Sequence, residues 1–358
     1  MQLVFVLILF HISTATGFLM TFLFTTAASS GWLVILFSMA GGLVISYLAL
    51  WLALRRPGEF IVVYGKEWIG RWLHVPIMLA LCFFLLHLAC LVLRQITDFL
   101  IQVYLPTTPT WMVASLFAFV IVIAVRSGIE TIVRCASGFF FIILLTVALM
   151  PFFVSNELTK DRAVALITQL EWRATWEGVY AFTPWFGEMF LILFLIPFFQ
   201  KPRRTYSSLF WSSLVSMVII EVFFVLCYLL FGSQLAEQLT YPVLEMIRFI
   251  RIGDFLENLD PFVVAIWLVS LFVKGSLLLY VAILIFTQLL GLKDMRPFGF
   301  SFGAIMLTMS MHVVRNMIEM GHFAIHIWPT YAYTMELTPV VYGILAMVRK
   351  KKPEASSG

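Results

Sequence analysis

Residues 31–54, GWLVILFSMAGGLVISYLALWLAL, hold no charged side chain and run straight into Arg55-Arg56-Pro57-Gly58. A helix crosses the hydrocarbon core of a bilayer with about 20 apolar residues, so this stretch reads as one crossing closed by a basic turn. It is apolar throughout, without the alternation a barrel strand needs, which favours helix over barrel. The reading extends outward in both directions. Residues 1–54 contain no Lys, Arg, Asp or Glu, and across all 358 residues 62% are hydrophobic and 12% charged. Soluble domains are about half apolar and a quarter charged, so this chain cannot hide its apolar surface in a water-soluble core. A secretory signal peptide starts with basic residues, and the uncharged N-terminus is therefore read as a retained helix.

The same pattern predicts an all-α membrane protein of about ten transmembrane helices, at 1–25, 31–54, 73–104, 110–126, 135–154, 179–199, 206–231, 261–290, 297–315 and 327–348. Turn signals separate them, among them Pro106-Thr107-Thr108-Pro109, Gln200-Lys201-Pro202-Arg203-Arg204 and Lys293-Asp294-Met295-Arg296-Pro297. Loop cations fall on alternate sides. One side carries Arg55, Arg56, Lys66, Arg71, Arg126, Arg134, Lys201, Arg203, Arg204, Lys293, Arg296, Arg349, Lys350, Lys351 and Lys352; the other carries Lys160, Arg162, Arg173, Arg248, Arg251 and Arg315. The bias predicts an even number of crossings with both ends in the cytoplasm. Two stretches, Glu157–Trp176 and Tyr241–Leu259, are read as amphipathic segments on the outer side. In the second, Val243, Ile247, Ile250 and Phe255 share one helix face. The expected organisation is one bundle over 1–348, with approximate repeats at 1–154 and 179–315, and a cytoplasmic tail at 349–358.

Ten helices suggest two inverted five-helix repeats in which the first helix of each half is broken at the midplane. Unwinding signals stand at both places: Ser13-Thr14-Ala15-Thr16-Gly17 in the first helix and Thr183-Pro184-Trp185-Phe186-Gly187-Glu188 in the sixth. Broken backbone there would expose N–H and C=O groups able to hold the carboxylate and ammonium of an amino acid. Close packing by small residues would give the same local composition, but the matched positions in the two halves favour a binding site at Ser13, Thr14, Thr16, Gly17, Phe186, Gly187 and Glu188.

Ionisable groups inside membrane helices are costly. Lys274 lies deep in the eighth helix and is read as a fixed or titratable cation, with Glu188 and Glu221 as candidate acidic partners for ion coupling; pairing for packing alone is the competing reading. Arg94 and Asp98, four residues apart in the third helix, are read as a structural ion pair. His87, two turns away, faces a similar direction and is a candidate cavity residue, although a buried histidine is more often simply hydrogen-bonded. His322 and His326 share helical spacing without an evident third ligand, and no metal site is expected. Cys82, Cys90, Cys135 and Cys227 all sit in apolar runs and read as small buried residues. Phosphate-cradling loops, metalloprotease motifs and nucleophile elbows are missing, as is a basic, aromatic-laced face for nucleic acid. Neither enzymatic activity nor a cofactor is expected.

Residues 241–267, YPVLEMIRFIRIGDFLENLDPFVVAIW, carry an aromatic-Pro start, an Arg-x-x-Arg-Ile-Gly-Asp-Phe core, and a Leu-Asp pair leading into Ala-Ile-Trp. With Gly31-Trp32, Arg94 and Asp98, Gly187-Glu188 and Leu292–Pro297, this resembles the B subunit of the spore germinant receptors, a branch of the amino acid–polyamine–organocation superfamily. The resemblance covers nearly the whole chain and implies a LeuT-type fold that recognises a small germinant, usually an amino acid. It also implies a place in the inner membrane of the dormant spore beside an A subunit and a lipoprotein C subunit. Carried over onto this sequence, the binding positions flank Ser13–Gly17 and Phe186–Glu188 and include His87, Leu91 and Lys274. Lys274 would stand where related transporters bind a sodium ion against the first helix. The first-helix stretch has one glycine where the family often has two. A proton-coupled amino-acid transporter and an assembly scaffold are the other readings.

Overall fold

Fifty-two consecutive helical residues, Gln2–Ala53, open the chain. As one rod they would extend about 80 Å, well over twice the thickness of a hydrocarbon core. They fold instead as two crossings, because Ala28 takes φ 42° and ends the first helix. The computed structural model describes residues 2–249, 260–314 and 317–350, and these hold no β-strand.

Among the described residues the ten crossings are helix 1 (2–27), helix 2 (Gly31–Ala53), helix 3 (Arg71–Val103), helix 4 (Thr110–Ser127), helix 5 (Ile129–Val154), helix 6 (Trp172–Phe198), helix 7 (Thr205–Ala236, kinked at Gly232), helix 8 (Asp260–Leu289), helix 9 (Phe298–His312) and helix 10 (317–336). Helices 4 and 5 are parted by Gly128 alone, at φ 95°, a conformation that a side chain would strain. Four shorter helices flank the bundle: Ile61–Ile69, Ala163–Thr168, Pro242–Arg248 and Thr338–Lys350.

Three helices differ most from those read in the sequence. Helix 5 begins at Ile129 rather than 135, because one glycine is enough to reverse the chain. Helix 6 begins at Trp172, so the last part of the stretch expected to be amphipathic belongs to a crossing. The tenth crossing is 317–336 instead of 327–348; Thr338–Lys350 is a separate helix that packs on Ile61–Ile69 and helix 2. Its polar turn, Glu336-Leu337-Thr338, interrupts what hydropathy reads as one run. The described part of the Tyr241–Leu259 stretch lies on the bundle, with Val243 and Ile247 buried. Ile250 and Phe255 lie outside the described residues, as do Arg251, Arg315, Lys351 and Lys352.

Helix 3 packs along helix 8, helix 2 along helix 6, and helix 1 is enclosed by helices 5, 7 and 8. Gly41 and Gly42 bring helices 2 and 6 together: a Cβ on Gly42 would come within 2.5 Å of the Phe186 carbonyl carbon. Helices 6 and 8 are enclosed over most of their length, whereas helices 4 and 5 turn Leu116, Phe119, Phe141, Leu145 and Phe152 outward. Exposed apolar rows of this kind suit contact with lipid chains.

Candidate ligand site

Helix 1 loses its α-helical register at Ala15–Leu19, a five-residue π turn. Such a turn inserts an extra residue into the hydrogen-bond ladder and frees a backbone group to bond elsewhere. Here the carbonyl of Ser13 accepts a hydrogen bond from Trp267 Nε1 at 2.6 Å, and the indole lies flush over Gly17, where a Cβ would overlap the ring. Helix 6 is interrupted differently. Pro184 has no N–H to offer the preceding turn, and the helix tightens to a 3₁₀ turn over Glu188–Leu191, just past Gly187.

Between these interruptions lies an ion pair. Lys274 Nζ is 2.6 Å from Glu188 Oε2, donates to Thr14 Oγ1 at 2.8 Å, and sits 4.8 Å from the centre of the Phe10 ring. Lys274 is 2% exposed and Glu188 3%. Removing two charges from water costs several kcal/mol per ion, and mutual pairing with hydrogen bonds is what offsets it. The hydroxyl of Thr14 and the face of Phe10 contribute to that offset.

A cavity of about 30 Å³ adjoins the pair, bordered by Thr14, Leu91, Gln95, Trp185, Glu188 and Lys274, with Trp328 at its edge. Besides Glu188 Oε2, whose contact is the ion pair with Lys274, three polar atoms bordering it are buried without a hydrogen-bond partner: Gln95 Oε1, Trp185 Nε1 and Trp328 Nε1. A cavity needs only about 10–15 Å³ to hold a water molecule, so this one admits water but is too small for an amino acid as it stands. A second cavity of about 70 Å³, bordered by no charged side chain, lies against Thr16, Gly17, Phe99, Thr146, Tyr241 and Trp267.

The expected site residues are thus divided. Thr14, Leu91, Glu188 and Lys274 meet at the ion-pair cavity, while Thr16 and Gly17 border the second one. The Ser13 hydroxyl bonds back to Phe10 O at 2.7 Å, and that of Thr16 to Ile12 O at 2.8 Å, so both serve their own helix. Phe186 is buried against Gly42 and His11, and its carbonyl lies 3.4 Å from His11 Nε2. His87 packs among Phe83, Phe323 and Tyr331 and borders neither cavity. Glu221 is half-buried on helix 7, away from the ion pair. Arg94 Nε and Asp98 Oδ2 stand 2.7 Å apart, and Arg94 also donates to Met311 O at 3.4 Å, tying helix 3 to helix 9. The His322 and His326 rings lie 4.7 Å apart, and no group of three metal-ligating side chains forms among the described residues.

Sequence reasoning missed Gln95, Trp328 and Glu336. Trp185 stood inside the Thr183–Glu188 run without being singled out. Glu336, the last residue of helix 10, is 1% exposed and covers Gly187. A polar residue in an apolar run was the only signal available for Gln95 and Glu336, and the misplaced tenth helix obscured the second.

The family model described as "Spore germination protein" matches residues 1–336. The chain belongs to that family. Spore germination protein KB of Bacillus subtilis (strain 168) is 23% identical over 338 residues, covering 93% of this chain and 90% of that one. Spore germination protein YndE of the same organism is 22% identical over 289 residues, covering 78% and 76%. Spore germination protein XB of Bacillus anthracis is 26% identical over 219 residues, or 59% of each chain. Among solved structures, MhsT in complex with L-phenylalanine superposes with a TM-score of 0.66 over 97% of this chain and 98% of its own, at 10% identity. That likeness establishes the fold: this spore germination family member is a multi-pass membrane protein of the LeuT type, a five-plus-five arrangement with helices 1 and 6 interrupted. Family and fold are of the permease and receptor kind rather than the enzymatic kind.

Proposed function

We propose that this protein is the B-type membrane subunit of a spore germinant receptor, in the inner membrane of the spore. It would bind an α-amino acid at the Lys274–Glu188 cavity and pass the change to an A subunit and a lipoprotein C subunit. The observation that carries this reading is the set of unpaired polar atoms bordering the ion pair. The Trp185 and Trp328 indole N–H groups, with the Lys274 ammonium, suit a carboxylate; Gln95 Oε1 and the Glu188 carboxylate suit an ammonium. Buried groups of this kind reject ligands that leave them unpaired, which gives specificity for a zwitterion over an apolar molecule. The cavity must widen to admit one, so binding favours a more open state and shifts the bundle toward it.

The test is a binding screen of the common L-amino acids on the purified subunit, repeated with Gly187→Ala and Lys274→Ala. At least one amino acid should bind the unmodified protein, with a tenfold or greater loss in Lys274→Ala. Equal affinity in all three proteins would sink the assignment of the site. The full-length likeness to a transporter fold supports a second reading, a proton-coupled amino-acid transporter. Accumulation of a bound amino acid against its gradient in proteoliposomes holding this chain alone would favour that reading over a pure receptor.

A further inference from the structure

Glu336 is the unsettled charge of the interior. It closes helix 10 beside Gly187, is 1% exposed, and neither carboxyl oxygen has a hydrogen-bond donor among the described residues. Nearby donors are engaged elsewhere: the Leu337 N–H bonds Tyr333 O at 3.0 Å, and the Thr338 hydroxyl bonds Met335 O at 2.6 Å. The charged and titratable groups around it are Glu188 on helix 6, Lys274 on helix 8 and Tyr333 one turn back on its own helix, with His11 of helix 1 beside Lys274 and the Phe186 carbonyl. Tyr342 on the following helix is hydrogen-bonded to His74.

Two carboxyl groups therefore feel one ammonium, and only Glu188 is in contact with it, at 2.6 Å. A carboxylate buried with no donor is prohibitively costly and takes up a proton instead. A metal cation would need several oxygen ligands arranged around it, and no suitable group of three acidic, histidine or cysteine side chains occurs among the described residues. A proton neutralises one carboxyl group and needs no further ligand.

We infer that Glu336 is a proton-binding site of the bundle, and that Lys274 decides which of the two acids is ionised. With Lys274 on Glu188, the Glu336 O–H bond is intact. When Lys274 turns to Glu336, that O–H bond breaks and the proton passes to Glu188 or to water. The site shares Lys274 and Glu188 with the proposed ligand cavity, and it holds whether that cavity serves a receptor or a transporter.

Infrared spectra of the purified protein at pH 7, in water and in deuterium oxide, separate a protonated carboxyl group from a carboxylate. The difference between unmodified protein and Glu336→Gln should show the loss of one deuterium-sensitive C=O band. Loss of a carboxylate band instead would overturn the inference. Glu188→Gln gives an independent reading that keeps Glu336 in place. Lys274 then turns to Glu336, so one protonated carboxyl disappears and the carboxylate count stays level. A Glu188→Gln spectrum that loses one carboxylate and keeps every protonated carboxyl would equally refute it.

Discussion

Lys274 and Glu188 show how a side chain that hydropathy penalises becomes part of a membrane core. Each alone would be a costly intrusion; together, with Thr14 and Phe10, they satisfy one another. Removing one partner leaves the other buried without compensation. Lys274→Met is expected to destabilise the protein by about 3–5 kcal/mol, seen as a lower unfolding midpoint in detergent. Adding Glu188→Gln should restore most of that loss, because the uncompensated charge goes with it. A double variant no more stable than Lys274→Met would show that the pair is not the source. The pairing was only partly legible from sequence: Lys274 and Glu188 stood out as ionisable residues in apolar runs, but nothing local pointed Lys274 to Glu188 rather than Glu221.

At the scale of elements, the single-residue reversal between helices 4 and 5 separates backbone strain from packing. Gly128 holds φ 95°, and a Cβ there would meet nothing within 4 Å. Gly138, inside helix 5, also has open space around it but lies in ordinary helical backbone. Gly128→Ala should therefore cost about 1–3 kcal/mol from strain alone, whereas Gly138→Ala should be neutral or stabilise by up to about 1 kcal/mol. Thermal unfolding of the two variants side by side measures this, and equal effects would contradict it. Element boundaries were least legible where chemistry is local. The break at Gly128 reads as too long, because Arg126, Glu130 and Arg134 around it shorten the apolar run, and the polar turn after Glu336 escapes a reading based on apolar length.

For the whole molecule, the uneven loop cations predict both ends of the bundle on one side of the membrane. Three of the four cysteines are buried, leaving Cys135 partly accessible, so Cys135→Ser provides an unreactive background. In that background Lys160→Cys and Lys201→Cys should label with a membrane-impermeant maleimide from opposite sides, Lys160→Cys in intact cells and Lys201→Cys in inverted vesicles. Labelling of both from one side would overturn the alternation.

The sequence by itself determined the membrane class, the number of crossings, and the two places where helices 1 and 6 lose their regular ladder. Each of those depends on residues adjacent in the chain: apolar length, loop charge, and proline or glycine within a run. Only the tertiary structure decided that Thr14 faces Lys274 while Thr16, two residues on, faces another cavity, and that Glu336 comes to rest on Gly187. In a soluble helix the polar stripe marks the outside. Here lipid and core are equally apolar, so composition does not say which face turns inward. That choice is made by packing, where Gly17 admits Trp267 and Gly187 admits Glu336.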